Sequence, residues 1–154
     1  MKALLSALML SVALAGPALA CKQPAGAAKI EAGLVDWINT QRTGKGLGRL
    51  RVSAVLGTAA AAHACDMAGR GFFAHNGPGG PSFQARLKRA GYRFSAAVEN
   101  IAKSRSASAG TAEGIWRKSS AHWGNILNGS IRDIGVAVAT DGADVFYVFV
   151  GGSQ

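Results

Sequence analysis

Toward the C-terminus the apolar residues alternate with small ones, and this constrains the fold more than any other feature. Ile134, Val136 and Val138 interleave with Gly135, Ala137 and Ala139, which predicts a strand with one small-residue face. Asp141-Gly142 is a hairpin-turn dipeptide, and Val145-Phe-Tyr-Val-Phe-Val150 supplies the partner strand. The stretch reads as an antiparallel hairpin.

Upstream the period is helical. Ile30, Leu34, Trp37 and Ile38 recur at helical spacing and predict a first helix ending near Thr43-Gly44. Ser53 is placed to cap a second, alanine-built helix over residues 54–69. Ser82 is placed to cap a third that runs to about Arg89, before Gly91. A fourth covers residues 112–119 and holds Trp116, although Thr111 and Gly114 do not form a full capping box. Gly44-Lys-Gly-Leu-Gly48, Gly77-Pro-Gly-Gly-Pro81 and Ser104-Arg-Ser-Ala-Ser-Ala-Gly110 read as loops. Helices first and antiparallel strands last give the α+β class. With no internal repeat or low-complexity run, residues 21–154 are expected to form one domain.

Residues 1–20 read differently. Met1-Lys2 begins a positive region, residues 3–15 are apolar, Gly16-Pro17 breaks any helix, and Ala18-Leu19-Ala20 has a small-x-small cleavage pattern. A signal peptide cleaved after Ala20 is expected, with export to the periplasm or beyond the cell. No apolar stretch is long enough for a transmembrane anchor. Cleavage would leave Cys21 first, and lipidation there would tether the domain to a membrane. Lipoprotein signals favour leucine three residues earlier, however, where Ala18 stands. In an oxidising compartment the simplest use of Cys21 and Cys65, the chain's 2 cysteines, is a disulfide; a free buried thiol is the other alternative.

Lys and Arg number 17 against 8 acidic residues, a net charge of +9 that becomes +8 without Lys2. The basic density peaks at Arg86, Lys88, Arg89 and Arg93, flanked by Arg49, Arg51, Lys103 and Arg105. Such a protein is drawn to anionic cell-envelope surfaces, lipid headgroups or nucleic acid; equally, scattered arginines keep an Ala/Gly-rich chain soluble. No motif with stacking aromatics is present, so sequence-specific nucleic-acid reading is not expected.

Two of the three histidines bracket a glutamate, in Asp66-Met-Ala-Gly-Arg-Gly-Phe-Phe-Ala-His75, Glu99-Asn-Ile-Ala102 and Ser119-Ser-Ala-His122-Trp-Gly-Asn-Ile-Leu127. With Leu34-Val-Asp-Trp-Ile-Asn-Thr-Gln-Arg42 ahead of them, four segments stand in one order. Each is weak alone. Together they resemble the CAP (SCP-like) superfamily in its small bacterial secreted branch, over nearly the whole chain after the signal. The resemblance implies a three-layer α-β-α sandwich with a cleft on one side of the central sheet. It also implies that His75, Glu99 and His122 meet there, since their spacing alone cannot bring them together. Many members carry two histidines and two acidic residues in the cleft. Here the second acidic position falls near Ser119, so any metal is expected to bind more weakly.

Imidazole and carboxylate are ligands for zinc and similar ions, and the same groups can relay protons. Plainer readings exist for each residue. His75 precedes a Gly/Pro loop and can simply end a helix; Glu99 can bond backbone N–H groups; His122 can be a surface residue in the turn at 119–121. His63 shares a helical face with Leu56, Ala59, Ala60 and Met67 and reads as a core histidine. Ser119 and Ser120 beside His122 lack the Gly-x-Ser-x-Gly elbow of a serine hydrolase. Three functions follow. The first is a secreted module whose His75/Glu99/His122 cleft takes a divalent ion, zinc first, and a small ligand. The second is a metal-assisted hydrolase with Glu99 as base. The third is a binder of lipid or anionic surfaces without chemistry.

Overall fold

The computed structural model describes residues 21–154; the expected signal peptide at 1–20 lies outside them. Among the described residues five helices and four strands follow one another as α1 (Ala27–Thr43), β1 (Arg51–Val52), α2 (Ala54–Arg70), α3 (Phe83–Arg89), β2 (Ala96–Ser104), α4 (Ala109–Arg117), α5 (Ser120–Ile126), β3 (Asp133–Thr140) and β4 (Val145–Ser153). The sheet order is β1-β3-β4-β2, antiparallel except where β1 runs parallel to β3. The chain is α+β, and the expected hairpin is β3–β4, in register from Asp133 opposite Gly152 to Thr140 opposite Val145.

Side-chain alternation sorts the core into two halves. Ile134, Val136, Val138, Tyr147 and Phe149 pack with Leu34, Ile38 and Trp116 of α1 and α4, while Ala137, Ala139, Phe146, Val148 and Val150 pack with Leu56, Ala60, Met67 and Leu87 of α2 and α3. The sheet is therefore the middle of three layers. Its small-residue face is where α2 lies closest: a Cβ on Gly135 would stand 2.5 Å from the Leu56 carbonyl oxygen and nearer still to its carbon. Serine caps act as expected at α2 and α3, where Ser53 accepts from the Leu56 N–H and Ser82 from the Ala85 N–H.

Three elements depart from expectation. Helix α4 starts at Ala109 rather than at residue 112, because Ser108 caps it by accepting from the Thr111 N–H, so part of the expected loop at 104–110 is helical. The segment at 119–121 is not a turn but the start of α5, capped by Ser119. Strand β2 was not expected, since the polar pair Glu99-Asn100 interrupts its apolar alternation. It forms the sheet edge opposite β1, and its Glu99 and Ile101 carbonyls accept bonds from the Asn125 amide (3.2 Å) and the Trp116 indole N–H (3.3 Å). Those side chains occupy acceptors that a foreign strand would otherwise use.

Cys21 and Cys65 are joined in a disulfide across a sequence separation of 44, so the sulfur a lipid anchor would need is committed. The bridge pins the start of the described chain to α2, while the Lys22 carbonyl accepts from the Thr140 N–H at 2.9 Å. A loop of this length stabilises by about 2–4 kcal/mol, chiefly by restricting the unfolded chain. The Cys21→Ala/Cys65→Ala variant is expected to unfold at correspondingly lower denaturant; an unchanged midpoint would show that the N-terminal tether contributes nothing.

Candidate functional site

The site is built around the free edge of β2. Consecutive strand residues point to opposite faces, so Glu99 enters the α2–α3 layer and Asn100 the α4–α5 layer. Glu99 is 2% exposed, and both its oxygens are engaged: Oε2 with Arg86 Nη2 at 2.6 Å and Oε1 with His75 Nδ1 at 2.9 Å. Carboxylate oxygens only accept, so His75 donates from Nδ1. That leaves Nε2 as the lone-pair nitrogen of the neutral ring, on a side chain 51% exposed.

His75 sits in the loop between α2 and α3, which three side chains hold by its carbonyls. Arg86, 10% exposed, also donates to the His75 carbonyl at 2.7 Å. Arg70 donates to the Pro78 carbonyl at 2.5 Å while bridging to Asp66. His63 is buried, as its helical face predicted, and its Nε2–H donates to the Ala74 carbonyl at 3.0 Å. The same nitrogen lies 3.9 Å from Glu99 Oε1.

His122 comes from the other layer. The buried Asn100 amide donates to the His122 carbonyl at 2.9 Å and is itself held by Asn125 at 2.8 Å. Ser119, where a second carboxylate was sought, accepts from the His122 N–H and so fixes the start of α5. His122 Nδ1 is buried without a hydrogen-bond partner. Burial first, then the nearby charge of His75, lowers the pKa of His122. Both histidines therefore border the β2 edge, His75 through the Glu99 carboxylate and His122 through its own carbonyl on the Asn100 amide.

Metal-holding capacity is narrower than three residues suggest. Among the described residues, no group of three or more His, Cys, Asp or Glu side chains is arranged to hold a metal ion. Glu99 is spent on Arg86 and His75. The remaining donor chemistry, two imidazoles with one oriented by a buried carboxylate, still suits an ion such as zinc, because such a carboxylate fixes the ligating tautomer. Sequence reasoning missed Arg86 as the partner of Glu99 and His63 as a support of the His75 loop. Arg86 looked like one more member of a basic run, and nothing local links His63 to Ala74.

Comparison with known proteins decides the family. The profile described as "CAP: Cysteine-rich secretory protein family" matches residues 35–152. The chain belongs to the CAP family. A curated CAP-like relative, the uncharacterized protein YkwD of Bacillus subtilis (strain 168), is 30% identical over 131 residues, covering 83% of this chain. The match spans 49% of YkwD, so this CAP chain corresponds to about half of that relative's length. An extracellular protein containing a SCP domain from Bacillus anthracis str. Ames superposes with a TM-score of 0.76 at 26% identity, covering 83% of this chain and 41% of that one. An outer surface protein from Borrelia burgdorferi shares the fold, with a TM-score of 0.72 at 19% identity over 79% of this chain and 90% of its own.

Acid should weaken this CAP domain through its buried rings. Burial lowers the pKa of both His63 and His122. Above pH about 6.5 both rings are neutral folded or unfolded; below it the unfolded chain takes up protons first, so stability falls with pH until the folded-state values are passed. Denaturant titrations from pH 7.5 to 5 are expected to show this loss, with a shallower slope in His63→Gln. Equal slopes in variant and parent would remove His63 from the account.

Proposed function

We propose that the protein is an exported CAP-domain binding module whose cleft takes a divalent ion, zinc first, on His75 and His122, together with a small ligand. The observation carrying this reading is the bond from His75 Nδ1 to the buried Glu99, which leaves Nε2 free as a ligating nitrogen. His122, with its lowered pKa, is neutral at neutral pH and so also offers a lone pair. Glu99 then orients rather than ligates, and Arg86 holds Glu99. A bound ion would supply a Lewis-acidic point for an oxygen or nitrogen of the ligand. With Ser119 in place of a second carboxylate, affinity is expected below that of a site with three protein ligands. Export rests on the sequence of residues 1–20, the disulfide and the extracellular Bacillus anthracis neighbour.

The hydrolytic alternative asks Glu99 to take a proton from water. A carboxylate 2% exposed, with both oxygens engaged, does not favour that role.

Calorimetric titration of zinc into the disulfide-intact protein tests the reading. Binding of one ion per chain, abolished in His75→Ala/His122→Ala, is expected. Identical heats in parent and variant would place the ion elsewhere, and no heat in either would end the metal reading.

A further inference from the structure

Among the described residues Arg42 is the one Lys or Arg that is buried, at 1% exposure. Its guanidinium meets no carboxylate. Nε donates to the Gly48 carbonyl at 3.0 Å, and Nη1 to the carbonyls of Ile126 and Asn128, both at 2.8 Å. Carbonyls satisfy N–H donors without cancelling the charge, and a buried ion without a counter-charge is costly. A second cation stands beside it. Arg132 Nη1 donates to the carbonyls of Ile131 and of Gly129, the residue that follows Asn128. Among the described residues Arg132 has no carboxylate partner either. Burial first, then the charge of Arg132, lowers the pKa of Arg42, the mark of two like charges close together.

Both guanidiniums line a cavity of about 340 Å³ beside the C-terminal end of α1, together with Arg49 and the glycines Gly46, Gly48 and Gly129. No carboxylate and no aromatic ring is among its lining residues. Arg49 has only a loose pair with Asp36, 3.5 Å long between exposed side chains, which water screens. The wall is open at Gly48, where a Cβ would meet nothing within 4 Å. Unpaired cations elsewhere, such as Lys88, Arg89, Arg93 and Arg105, are exposed, so water carries their charge. Arg42 lacks that recourse, and its cavity supplies cations only.

We propose that this cavity binds a tetrahedral oxyanion of phosphate or sulfate size between the Arg42 and Arg132 guanidiniums, with Arg49 as a third cation. A guanidinium pairs with two such oxygens at once, which chloride cannot reproduce. The test titrates the full disulfide-bonded protein calorimetrically with sodium phosphate, sodium sulfate, methyl phosphate or sodium chloride, at constant ionic strength. Phosphate and sulfate are expected to bind saturably, one ion per chain, at least roughly ten-fold more tightly than chloride, and to raise the melting temperature in step. Arg132→Ala is expected to lose about that factor, and Arg105→Ala, outside the cavity, to lose none. Arg132 is exposed and bonds only two carbonyls, so its variant should fold. A melting temperature that climbs with sulfate without saturating, alike in parent and Arg132→Ala, is the general effect of excluded salts and would overturn the site. Saturable binding unchanged in folded Arg132→Ala would overturn it too, as would equal affinity for chloride. Methyl phosphate binding as tightly as phosphate would assign the site to a terminal phosphate ester, and weaker binding to the free ion; either result upholds the oxyanion site.

Discussion

Arg86→Ala is expected to destabilise the protein by about 3–5 kcal/mol, because it leaves the Glu99 carboxylate buried without its guanidinium. The Arg86–Glu99 bridge is 2.6 Å long, with side chains 10% and 2% exposed. The same guanidinium donates to the His75 carbonyl, so its loss also frees the loop that carries the ring. A surface arginine would cost only about 0–1 kcal/mol, and that contrast is what a denaturant titration resolves. Arg86→Met/Glu99→Gln removes both charges and should recover part of the loss, since it leaves no unpaired ion in the interior. A single variant within about 1 kcal/mol of the parent would mean that Glu99 reaches solvent or another cation.

Gly135→Ala is expected to cost about 3 kcal/mol or more, or to prevent folding. The new methyl would meet main-chain atoms of Leu56 and Gly57 at the start of α2, which no rotamer change can clear. Helix and sheet would have to separate along the interface that supports His63 and, through it, the Ala74 carbonyl. Gly57→Ala is the matched control. It lies within α2 with open space around its Cβ position, and should be neutral or stabilising by up to about 1 kcal/mol. Equal midpoints for Gly135→Ala and parent would contradict the close approach.

How far the sequence reveals this molecule depends on whether the determining contacts are local. The β3–β4 hairpin was legible because alternation and the Asp141-Gly142 turn lie within a single stretch. Helix α2 was legible because Ser53 and the alanine run report on their own segment. Strand β2 was hidden, since Glu99 and Asn100 look like loop residues until each is seen to serve a different helical layer. His75, Glu99 and His122 were named from family resemblance, and only the folded edge of β2 shows that Glu99 bonds the His75 ring while His122 is held through its carbonyl by Asn100. Arg86 stands 13 residues before Glu99, on a basic helix that looks solvated, and no local pattern marks its burial.

The central claim is that Glu99 orients His75 through Nδ1, so that His75 Nε2 and the His122 ring are the nitrogens offered to an ion. Long-range nitrogen–proton NMR of the three imidazoles, recorded with and without zinc, tests it most directly. The account predicts that His75 carries its proton on Nδ1 and that zinc shifts the rings of His75 and His122 while His63 keeps its Nε2 proton. A His75 protonated on Nε2, or zinc shifts that leave His75 and His122 untouched, would contradict it.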